Sequence, residues 1–379
     1  MSAFSSDERQ LLHDSVQDYF TNQYSFEHFR SLSSAQHPDG YSRAQWSQYG
    51  ELGWLGVALP EAAGGSSGGI TELGIVMAAA GGSLALEPFL QTVVLGARAI
   101  ELVGTTDQQA LLSDVAVGSH TLAFCHAEPD AGYARDYVTA LATPSAGGYS
   151  IQGEKSFTLH AQAADTLIVS ARIGNQSGPV GLFLVPGTTD GVERRLAPAL
   201  DERRGAALRL TNVAVGKDAK LGASEDDALV AIDQILDRGV AALCAEAAGA
   251  MAAVTDQTVE YLKTREQFGK PLSTFQVLQH RLVDMSIASE EARAATHGAL
   301  TALDAGDPHA QLKVWRAKVQ TARSARFVGG QAIQLHGGMG MTDELAIGHY
   351  YKRLTMCETM LGDGQWYLKQ LAACATETA

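Results

Sequence analysis

The hydrophobic pattern of this 379-residue chain changes its period twice, and no other feature constrains the fold as strongly. From Asp7 to about Gly104, apolar residues recur at intervals of three and four, as in LGIVMAAAGGSLALEPFLQTVVLGARAIELVG, which is typical of packed helices. Near Thr121 the pattern becomes short alternating or apolar runs separated by Gly, Pro, Asn and Asp, which predicts strands up to about Gly222. From Glu225 onward helical periodicity returns. Its long segments are 225–263, 274–304, 308–335 and 343–373.

The order of these patterns predicts an α+β protein with three domains. We expect an N-terminal helical domain at 1–120, a middle β domain of antiparallel strands at 121–222 and a C-terminal helical bundle at 223–379. Segments rich in glycine, proline and serine, such as GWLGVALPEAAGGSSGG, mark the loops between elements.

Charge and cysteine content narrow the function classes. The chain has 28 Lys and Arg against 42 Asp and Glu, a formal net charge of -14, which disfavours binding to nucleic acid or to an anionic membrane. The N-terminus lacks the apolar core of a signal peptide, and no window approaches the ~20 apolar residues of a membrane span. The four scattered cysteines indicate reduced thiols, and no cysteine or histidine spacing indicates a metal site. We expect a cytoplasmic protein without a metal.

Two short motifs resemble sites of other enzyme classes but lack the required context. Residues 64–68, GGSSG, match the G-x-S-x-G form of a hydrolase nucleophile elbow, yet they lie in a loop between helical segments, whereas that motif joins a strand to a helix. The HGGMG at 336–340 has neither the preceding strand nor the third glycine of a dinucleotide-binding fingerprint. Neither a serine hydrolase nor an NAD-binding βαβ unit is expected.

One carboxylate stands out in the C-terminal helical pattern. Glu246 lies in VAALCAEAAGAMAAV at 240–254, a run of small and apolar residues. Glutamate is rarely fully buried without a partner, because its charge is costly to remove from water unless it is paired, hydrogen-bonded or protonated. Two interpretations are open: a distant group holds the carboxylate for structural reasons, or the carboxylate serves chemistry. The small side chains around it either leave room for a wide pocket or allow tight helix packing.

Two longer segments carry specific information together. They are YLKTREQFGKPLSTFQVLQHRLVDM at 261–285 and AIQLHGGMGMTDELAIGHYYKR at 332–353. Both resemble signature regions of the acyl-CoA dehydrogenase family of flavoproteins, and ELGWLGVALPEAAGG, AEPDAG at 127–132 and IQGEKSF at 151–157 resemble further segments of that family. The resemblance spans the whole chain. It implies an N-terminal helical domain, a middle antiparallel β-barrel-like domain and a C-terminal four-helix bundle.

The resemblance also implies FAD as cofactor. In the family the Arg and Phe of the R-x-x-F-G element reach across a subunit interface to the flavin dinucleotide, and here they correspond to Arg265 and Phe268. A guanidinium suits the bidentate geometry of a pyrophosphate. Gln334, Gly337 and Gly338 correspond to the residues that contact the adenosine end, with glycine permitting close backbone approach. The alternative is that Arg265 pairs with an acid and the two glycines merely end a helix.

The part of the flavin site that the family builds from its β domain is eroded here. Ala127 stands where the family has the threonine of TEP, and Tyr133 stands where it has a serine. Phe157 and Leu159 replace a tryptophan and a threonine. These changes remove side-chain hydrogen-bond donors and leave main-chain ones. Phe157 could still stack against the flavin ring, although a core phenylalanine is an equally open interpretation.

The family reaction removes an α-proton and a β-hydride from an acyl thioester, so it requires a positioned carboxylate base. Leu361 occupies the position of the usual base, and Gly239 occupies the alternative position on the preceding helix. Glu246 lies seven residues after Gly239, within roughly 20° of the same helix face, and is the candidate replacement. Asp363 is the alternative, although an aspartate after a glycine is also an ordinary helix cap. Glu358 is a third candidate and is expected to be solvated.

The sequence therefore predicts an FAD-dependent dehydrogenase of an acyl-CoA thioester that passes electrons to an electron-transferring flavoprotein. The resemblance extends to members that act on bulky groups such as steroid side chains, and it implies a homo- or heterotetramer, including an α2β2 assembly. A second hypothesis is a non-catalytic or half-site partner subunit that keeps only the interface half of the flavin site. A third is a flavin monooxygenase or oxidase on the same fold.

Overall fold

A computed structural model describes residues 4–34, 37–223 and 227–377. Two compact units emerge from the contacts between Cα atoms, and each is built from segments that are far apart in sequence. The helical unit consists of Met1–Ser31, Gly69–Ala85 and Val240–Ala379. The sheet unit consists of Leu32–Gly68 and Leu86–Gly239. The predicted domain limits at 120 and 222 remain predictions.

The order of helices, strands and helices follows the predicted order along the chain. The α-helices are α1 (Ser6–Gln23), α2 (Phe26–Ser33), α3 (Arg43–Glu51), α4 (Ile70–Gly82), α5 (Ala97–Val103), α6 (Thr106–Gln109), α7 (Leu111–Ala116), α8 (Leu229–Thr264), α9 (Gln276–Asp304), α10 (Ala310–His336), α11 (Ile347–Thr359) and α12 (Gly364–Glu377). A π-helical segment covers Phe89–Gly96, and 3₁₀ turns cover Glu61–Ala63, Lys217–Ala219, Leu272–Thr274 and Gly337–Met341. The strands are β1 (Leu122–Cys125), β2 (Leu141–Ser145), β3 (Gly148–Leu159), β4 (Thr166–Ile173), β5 (Val180–Pro186), β6 (Val192–Pro198), β7 (Arg204–Gly216), β8 (Glu266–Gln267) and β9 (Lys270–Pro271).

Helix ends in the helical unit are capped by carboxylates near and far in sequence. At α1, the Ser5 hydroxyl accepts a hydrogen bond from the Glu8 backbone N–H at 3.3 Å, and the Glu8 carboxylate accepts one from the Ser5 N–H at 2.7 Å, forming a capping box. At α4, the Asp304 carboxylate at the end of α9 accepts hydrogen bonds from the backbone N–H groups of Ile70 and Thr71, at 2.8 and 2.9 Å. The N-terminus of α4 therefore depends on a residue more than 200 positions away.

Glycines set how closely α4 and α8 approach each other. A Cβ built on Gly249 would lie 1.8 Å from the Ala78 carbonyl oxygen, and one on Gly81 would lie 2.0 Å from the Glu246 carbonyl oxygen. No side chain fits at these distances, so the two backbones are in contact. Of the two interpretations of the small residues around Glu246, tight helix packing holds at this crossing.

Helix α8 differs from the expectation that no segment is apolar enough to span a membrane. Among the residues that the structure describes, it is the one helix that passes a test of length and composition for a span. However, 78% of its most apolar window is buried within the protein. A core helix passes the same test, because burial against protein and burial in lipid select the same side chains.

The last predicted helix, 343–373, is two helices. α11 ends at Thr359 and α12 begins at Gly364. Leu361 has a φ of +57° and Gly362 a φ of +109°, and helical backbone cannot continue through residues with positive φ. The apolar periodicity continued through this break because both helices bury one face, so periodicity alone did not reveal it. The predicted helix start at Glu225 lies outside the described residues, and α8 begins at Leu229.

The sheet unit contains a seven-stranded sheet with mixed pairing. β3 pairs antiparallel with β2 and β7, β7 with β6, and β4 with β5. β4 also pairs parallel with β1 and with β2, where the sequence predicted only antiparallel neighbours. Alternation of side chains does not distinguish the two arrangements, and the chain that leads from β1 and from β2 to β4 is long enough for a parallel crossing. The core of the sheet is apolar, with residues such as Ile151, Leu167 and Phe183 fully buried.

Candidate flavin-binding groove and carboxylates

A groove of about 780 Å³ opens in the helical unit between the end of α8, the β8–β9 hairpin, the start of α9 and the end of α10. Its lining includes Arg265, Gln334, Gly337 and Gly338. Sequence reasoning assigned these four residues to one cofactor site from two segments about 70 positions apart. The structure brings them together.

The guanidinium of Arg265 is available in this groove. Arg265 is exposed, and its side chain makes no hydrogen bond or ion pair with any residue in the described parts of the chain. The alternative that Arg265 pairs with an acid therefore has no support. A second cation, Arg281 on α9, lines the same groove, and its Nη1 lies 3.5 Å from the Gln331 Oε1. Two guanidiniums in one groove suit an anionic ligand with more than one acceptor oxygen.

The two glycines leave space where a cofactor could approach the backbone. Gly337 ends α10 with a φ of +61°, a conformation that residues with a Cβ rarely adopt. A Cβ built on Gly337 or Gly338 would meet no atom within 4 Å, so their backbone faces open space. The residues present therefore fit the adenosine end of a dinucleotide.

An aromatic pair that the sequence analysis did not identify also lines the groove. The rings of Tyr261 and His336 stack with centroids 4.2 Å apart and an interplanar angle of 26°. Burial lowers the pKa of His336, so its imidazole is neutral over most of the physiological range. Both residues lie inside the two segments that carried the family resemblance, so proximity to these motifs was the available signal. The stack offers a flat, uncharged surface at the end of the groove.

Phe268 lies outside this groove at the tip of the β8–β9 hairpin. Its side chain is 87% exposed and its φ is +56°, followed by Gly269 with a φ of +76°. A two-residue hairpin turn favours positive φ at both central positions, but Asn, Asp or Gly usually occupies the first of them. An exposed phenylalanine in a strained conformation suits a surface that contacts another chain better than it suits an isolated turn.

Phe157 belongs to the sheet unit, on β3, and its side chain is 38% exposed. Its ring lies so close to Gly205 on β7 that a Cβ there would be 2.7 Å from the Phe157 ring. The ring therefore packs on a glycine of the neighbouring strand. This contact does not distinguish stacking on a flavin from a purely structural role. Phe157 stays a candidate cofactor-binding residue.

The β-domain motifs keep a buried polar network although their flanking hydroxyls are lost. The Lys155 Nζ donates hydrogen bonds to the Glu128 Oε1 at 2.6 Å and to the Ser170 Oγ at 2.9 Å. The Glu128 carboxylate also accepts hydrogen bonds from the Thr139 and Ala140 backbone N–H groups, at 2.7 and 3.1 Å. The residues of this network other than Thr139 are buried, so the pair of Lys155 and Glu128 fixes the loop after β1 and is not free for chemistry.

Glu246 is buried, with 3% of its surface exposed, and it is paired. The Arg353 Nη1 on α11 donates a hydrogen bond to the Glu246 Oε1 at 3.0 Å and another to the Ala85 carbonyl at 3.1 Å. The Arg353 Nη2 lies 3.3 Å from the Leu84 carbonyl. The distant partner that the sequence could not identify is thus Arg353, 107 positions away.

The other two candidate bases are also engaged. The Asp363 Oδ1 accepts a hydrogen bond from the Trp366 backbone N–H at 2.7 Å, which makes Asp363 the cap of α12. Glu358 forms an ion pair with Arg326 instead of being merely solvated. Leu361, at the position of the usual base, has an apolar side chain. In the described parts of the chain, no group of three or more His, Cys, Asp and Glu side chains is arranged to hold a metal ion.

Comparison with protein-family models gives three matches that cover most of the chain. The model of the acyl-CoA dehydrogenase N-terminal domain matches residues 6–119, that of the middle domain matches 123–213, and that of the C-terminal domain matches 229–376. Among curated proteins, the chain is 32% identical over 361 residues to the acyl-CoA dehydrogenase FadE12 of Mycobacterium tuberculosis. That alignment covers 91% of this chain and 90% of FadE12.

Two solved structures are similar over nearly their whole length. One is a variant of the Tcur3481-Tcur3483 steroid ACAD, with a TM-score of 0.88, 29% identity and 98% of both chains covered. The other is the ChsE4-ChsE5 complex from Mycobacterium tuberculosis, with a TM-score of 0.88, 25% identity and 100% of both chains covered.

Proposed function

Because the chain belongs to the acyl-CoA dehydrogenase family of flavoproteins, we propose that it serves FAD-dependent α,β-dehydrogenation of an acyl-CoA thioester as one subunit of a heteromeric enzyme. The family assignment makes the chain part of an oxidoreductase that acts on acyl-CoA. The observation that carries the heteromeric assignment is the contrast between two sites. The groove around Arg265 is open and its cation is available, whereas each candidate base is already engaged.

The groove would hold the dinucleotide through groups on this chain. Arg265 is placed to bind the pyrophosphate, with Gln334, Gly337 and Gly338 at the adenosine end. Phe268, exposed at the hairpin tip, is the group placed to reach a neighbouring subunit. When bound, FAD supplies the acceptor for the hydride that leaves the β-carbon of the thioester. The role of this chain is to position and hold the cofactor.

The α-proton needs a carboxylate that is free to accept it. Leu361 cannot accept a proton, and Asp363 is the cap of α12. Protonating Glu246 would leave the buried guanidinium of Arg353 without its counter-charge, which is costly in a region removed from water. We therefore propose that a second, related chain supplies the base.

Substrate, acceptor and location are part of the same proposal. The two similar structures described above are a steroid ACAD and a complex of two named chains, which supports a bulky acyl group and an α2β2 assembly. Electrons would pass to an electron-transferring flavoprotein, and the enzyme would work in the cytoplasm. The net charge of -14 is consistent with the absence of nucleic-acid or membrane partners.

The test is the flavin content of the chain, measured from visible absorption, when purified alone and when co-purified with candidate partner chains. We expect a folded chain with little flavin alone, and a stoichiometric complex after co-expression. Arg265→Gln should reduce the flavin content of the complex while the far-UV circular dichroism of the chain stays unchanged. One flavin per chain in the isolated protein, with bleaching on addition of acyl-CoA, would contradict the heteromeric assignment.

One observation supports a second assignment within the same reaction, a self-sufficient enzyme with Glu246 as base. Glu246 is a buried carboxylate on the same α8 face as Gly239, which is one of the family's two base positions. Under this assignment Glu246→Gln abolishes substrate bleaching of the flavin, while flavin content and substrate binding persist. Bleaching at the wild-type rate in Glu246→Gln would remove the assignment.

A further inference from the structure

We propose that a second cavity, enclosed by four helices of the helical unit, binds a small molecule with a carboxylate at one end and an unbranched apolar body. The cavity has a volume of about 570 Å³, within the usual range for small-molecule sites. Helices α1, α4, α8 and α9 line it, so all its walls belong to one compact unit. The proposal is independent of the function proposed above.

The inner wall of the cavity is apolar. It is formed by Ile75, Ala78, Ala79, Ala245, Ala248 and Leu300. Because most of these side chains are small, space remains between the helices that larger side chains would fill. Both interpretations of the small residues on α8 therefore apply to different parts of the helix. Glycines bring α8 into contact with α4 at one face, and alanines leave an apolar cavity beside it. This wall suits an alkyl chain.

The mouth of the cavity is lined by cationic groups with unused donors. The Arg9 Nε donates a hydrogen bond to the Glu72 Oε1 at 2.6 Å, and the Arg293 Nε donates to the Glu290 Oε2 at 2.9 Å. A guanidinium has five N–H donors. Within the described ranges, neither Nη atom of Arg9 makes a hydrogen bond, and the Nη1 atom of Arg293 makes none either.

The remaining polar groups at the mouth are consistent with an anionic head group. His13 and His297 also line it, and Asp256 is the one acid among the lining residues. Each guanidinium at the mouth is paired with one carboxylate, Arg9 with Glu72 and Arg293 with Glu290, and keeps further N–H donors. The unused guanidinium N–H groups can only donate, so they suit an acceptor head group and not an ammonium, and a carboxylate accepts more strongly than a neutral hydroxyl.

Glu246 is not among the residues that line this cavity. At 100° per residue, the lining residues Ala245, Ala252 and Asp256 are roughly 80–120° around α8 from Glu246, whereas Ala253 is within roughly 20° of it. The cavity also shares no lining residue with the groove around Arg265. A ligand bound here therefore leaves the flavin groove unoccupied.

The test uses decanoate as probe and isothermal titration calorimetry of the full chain. We expect saturable binding of one decanoate per chain, with decanol and decyltrimethylammonium binding more weakly. Ala252 is exposed and lines the cavity, so Ala252→Phe should block its mouth and abolish binding without displacing the core. Ala294 is an exposed alanine of α9 outside the lining, so Ala294→Phe is the matched control and should bind normally.

A second variant tests the head group separately from the volume. Arg293→Gln should weaken decanoate binding about tenfold, as expected for loss of one charge-assisted contact, and leave decanol binding unchanged. Decanoate at an acyl site beside the flavin would perturb the visible spectrum of the holoprotein, whereas decanoate in this cavity would not. The proposal is overturned if the folded chain does not bind decanoate, if Ala252→Phe binds it as tightly as the wild type, or if decanol binds equally well.

Discussion

At the scale of single residues, the pair of Glu246 and Arg353 bears on whether this chain carries its own base. Both side chains are almost fully buried, and the guanidinium also serves two backbone carbonyls. Replacing Glu246 with leucine would leave a buried cation without its counter-charge. We expect Glu246→Leu to lower the free energy of unfolding by about 3–5 kcal/mol, measured by urea denaturation.

The matched comparison for this prediction is the double variant Glu246→Leu with Arg353→Met. Removing both charges also removes the uncompensated cation, so the double variant should be less destabilised than the sum of the two single variants. A cost below about 1 kcal/mol for Glu246→Leu, comparable to that of an exposed pair, would show that the pair is not structural. The carboxylate would then be available for chemistry.

A second residue-scale prediction concerns His126 in the sheet unit. Burial and the nearby Lys155 cation lower the pKa of His126 to about 4, while its Nδ1 lies 3.0 Å from the Ser170 Oγ. The unfolded chain takes up this proton near pH 6.5, so between pH 6.5 and 4 the unfolded state binds more protons and stability rises with pH. We expect a loss on the order of 3 kcal/mol as pH falls through this window.

Urea unfolding at a series of pH values measures this dependence. His126→Gln removes the titrating group and should flatten the curve between pH 6.5 and 4. The exposed His280, replaced by glutamine in the same way, should leave it unchanged. An unaltered slope in His126→Gln would mean that another group controls stability in this range.

At the scale of elements, the contact of α4 with α8 depends on the absence of a side chain. Gly249→Ala would place a Cβ against the Ala78 carbonyl oxygen, so α8 would have to move away from α4. We expect a loss of about 1–3 kcal/mol in unfolding free energy, or more, from this overpacking. Gly298 on α9 is the matched control because a Cβ there meets no atom within 4 Å. Gly298→Ala should be neutral or stabilising by up to about 1 kcal/mol, and equal effects of the two changes would contradict the close helix contact.

For the tip of the β8–β9 hairpin, we predict that one substitution has opposite effects on the stability of the chain and on its flavin binding. Asn tolerates positive φ better than Phe does, so Phe268→Asn should relieve strain at the turn. We expect an unchanged or higher thermal midpoint for the isolated chain, measured by circular dichroism. We also expect less flavin bound in the co-purified complex, measured from visible absorption. A lower midpoint with normal flavin content would indicate that Phe268 supports the hairpin and not a neighbouring subunit.

Sequence pattern predicted the elements well where one period continued without interruption. The segments 274–304 and 308–335 differ from α9 and α10 by at most two residues at either end. It failed at the break after α11, where the apolar period was followed although Gly362, Asp363 and Gly364 are residue types that mark turns. It also failed to distinguish parallel from antiparallel neighbours of β4, because both bury alternate side chains.

The candidate site also has a part that could be predicted from the sequence and a part that could not. Arg265, Gln334 and Gly338 could be grouped from sequence because motifs name them, and the structure places them in one groove. The partner of Glu246 could not be identified, because a contact between residues 107 positions apart leaves no local pattern. The stack of Tyr261 on His336 also follows from the path of two helices, which no single segment determines.

At the scale of the whole molecule, neither compact unit is a continuous stretch of chain. In the helical unit, Gly74 on α4 contacts Leu300 on α9 so closely that a Cβ would lie 2.7 Å from it. We therefore predict that a fragment of residues 240–377 does not fold on its own, because it lacks α1 and α4, which cover α8 and α9. Its expected signs are binding of a hydrophobic dye and a broad, non-cooperative thermal transition, with the full chain as control. A sharp transition for the fragment would contradict the prediction.

The capping of α4 by Asp304 also has a consequence for biosynthesis. A ribosome releases the N-terminal helices long before it synthesises α9, so the Ile70 and Thr71 N–H groups lack the Asp304 carboxylate during most of translation. The apolar faces of α1 and α4 also remain uncovered during this time, since the helices that cover them lie after residue 240. The sheet unit, by contrast, is complete once residue 239 emerges. Nascent chains of this protein should therefore expose a helical apolar surface from the synthesis of α4 until that of α8 and α9, which is the period in which chaperones would bind it.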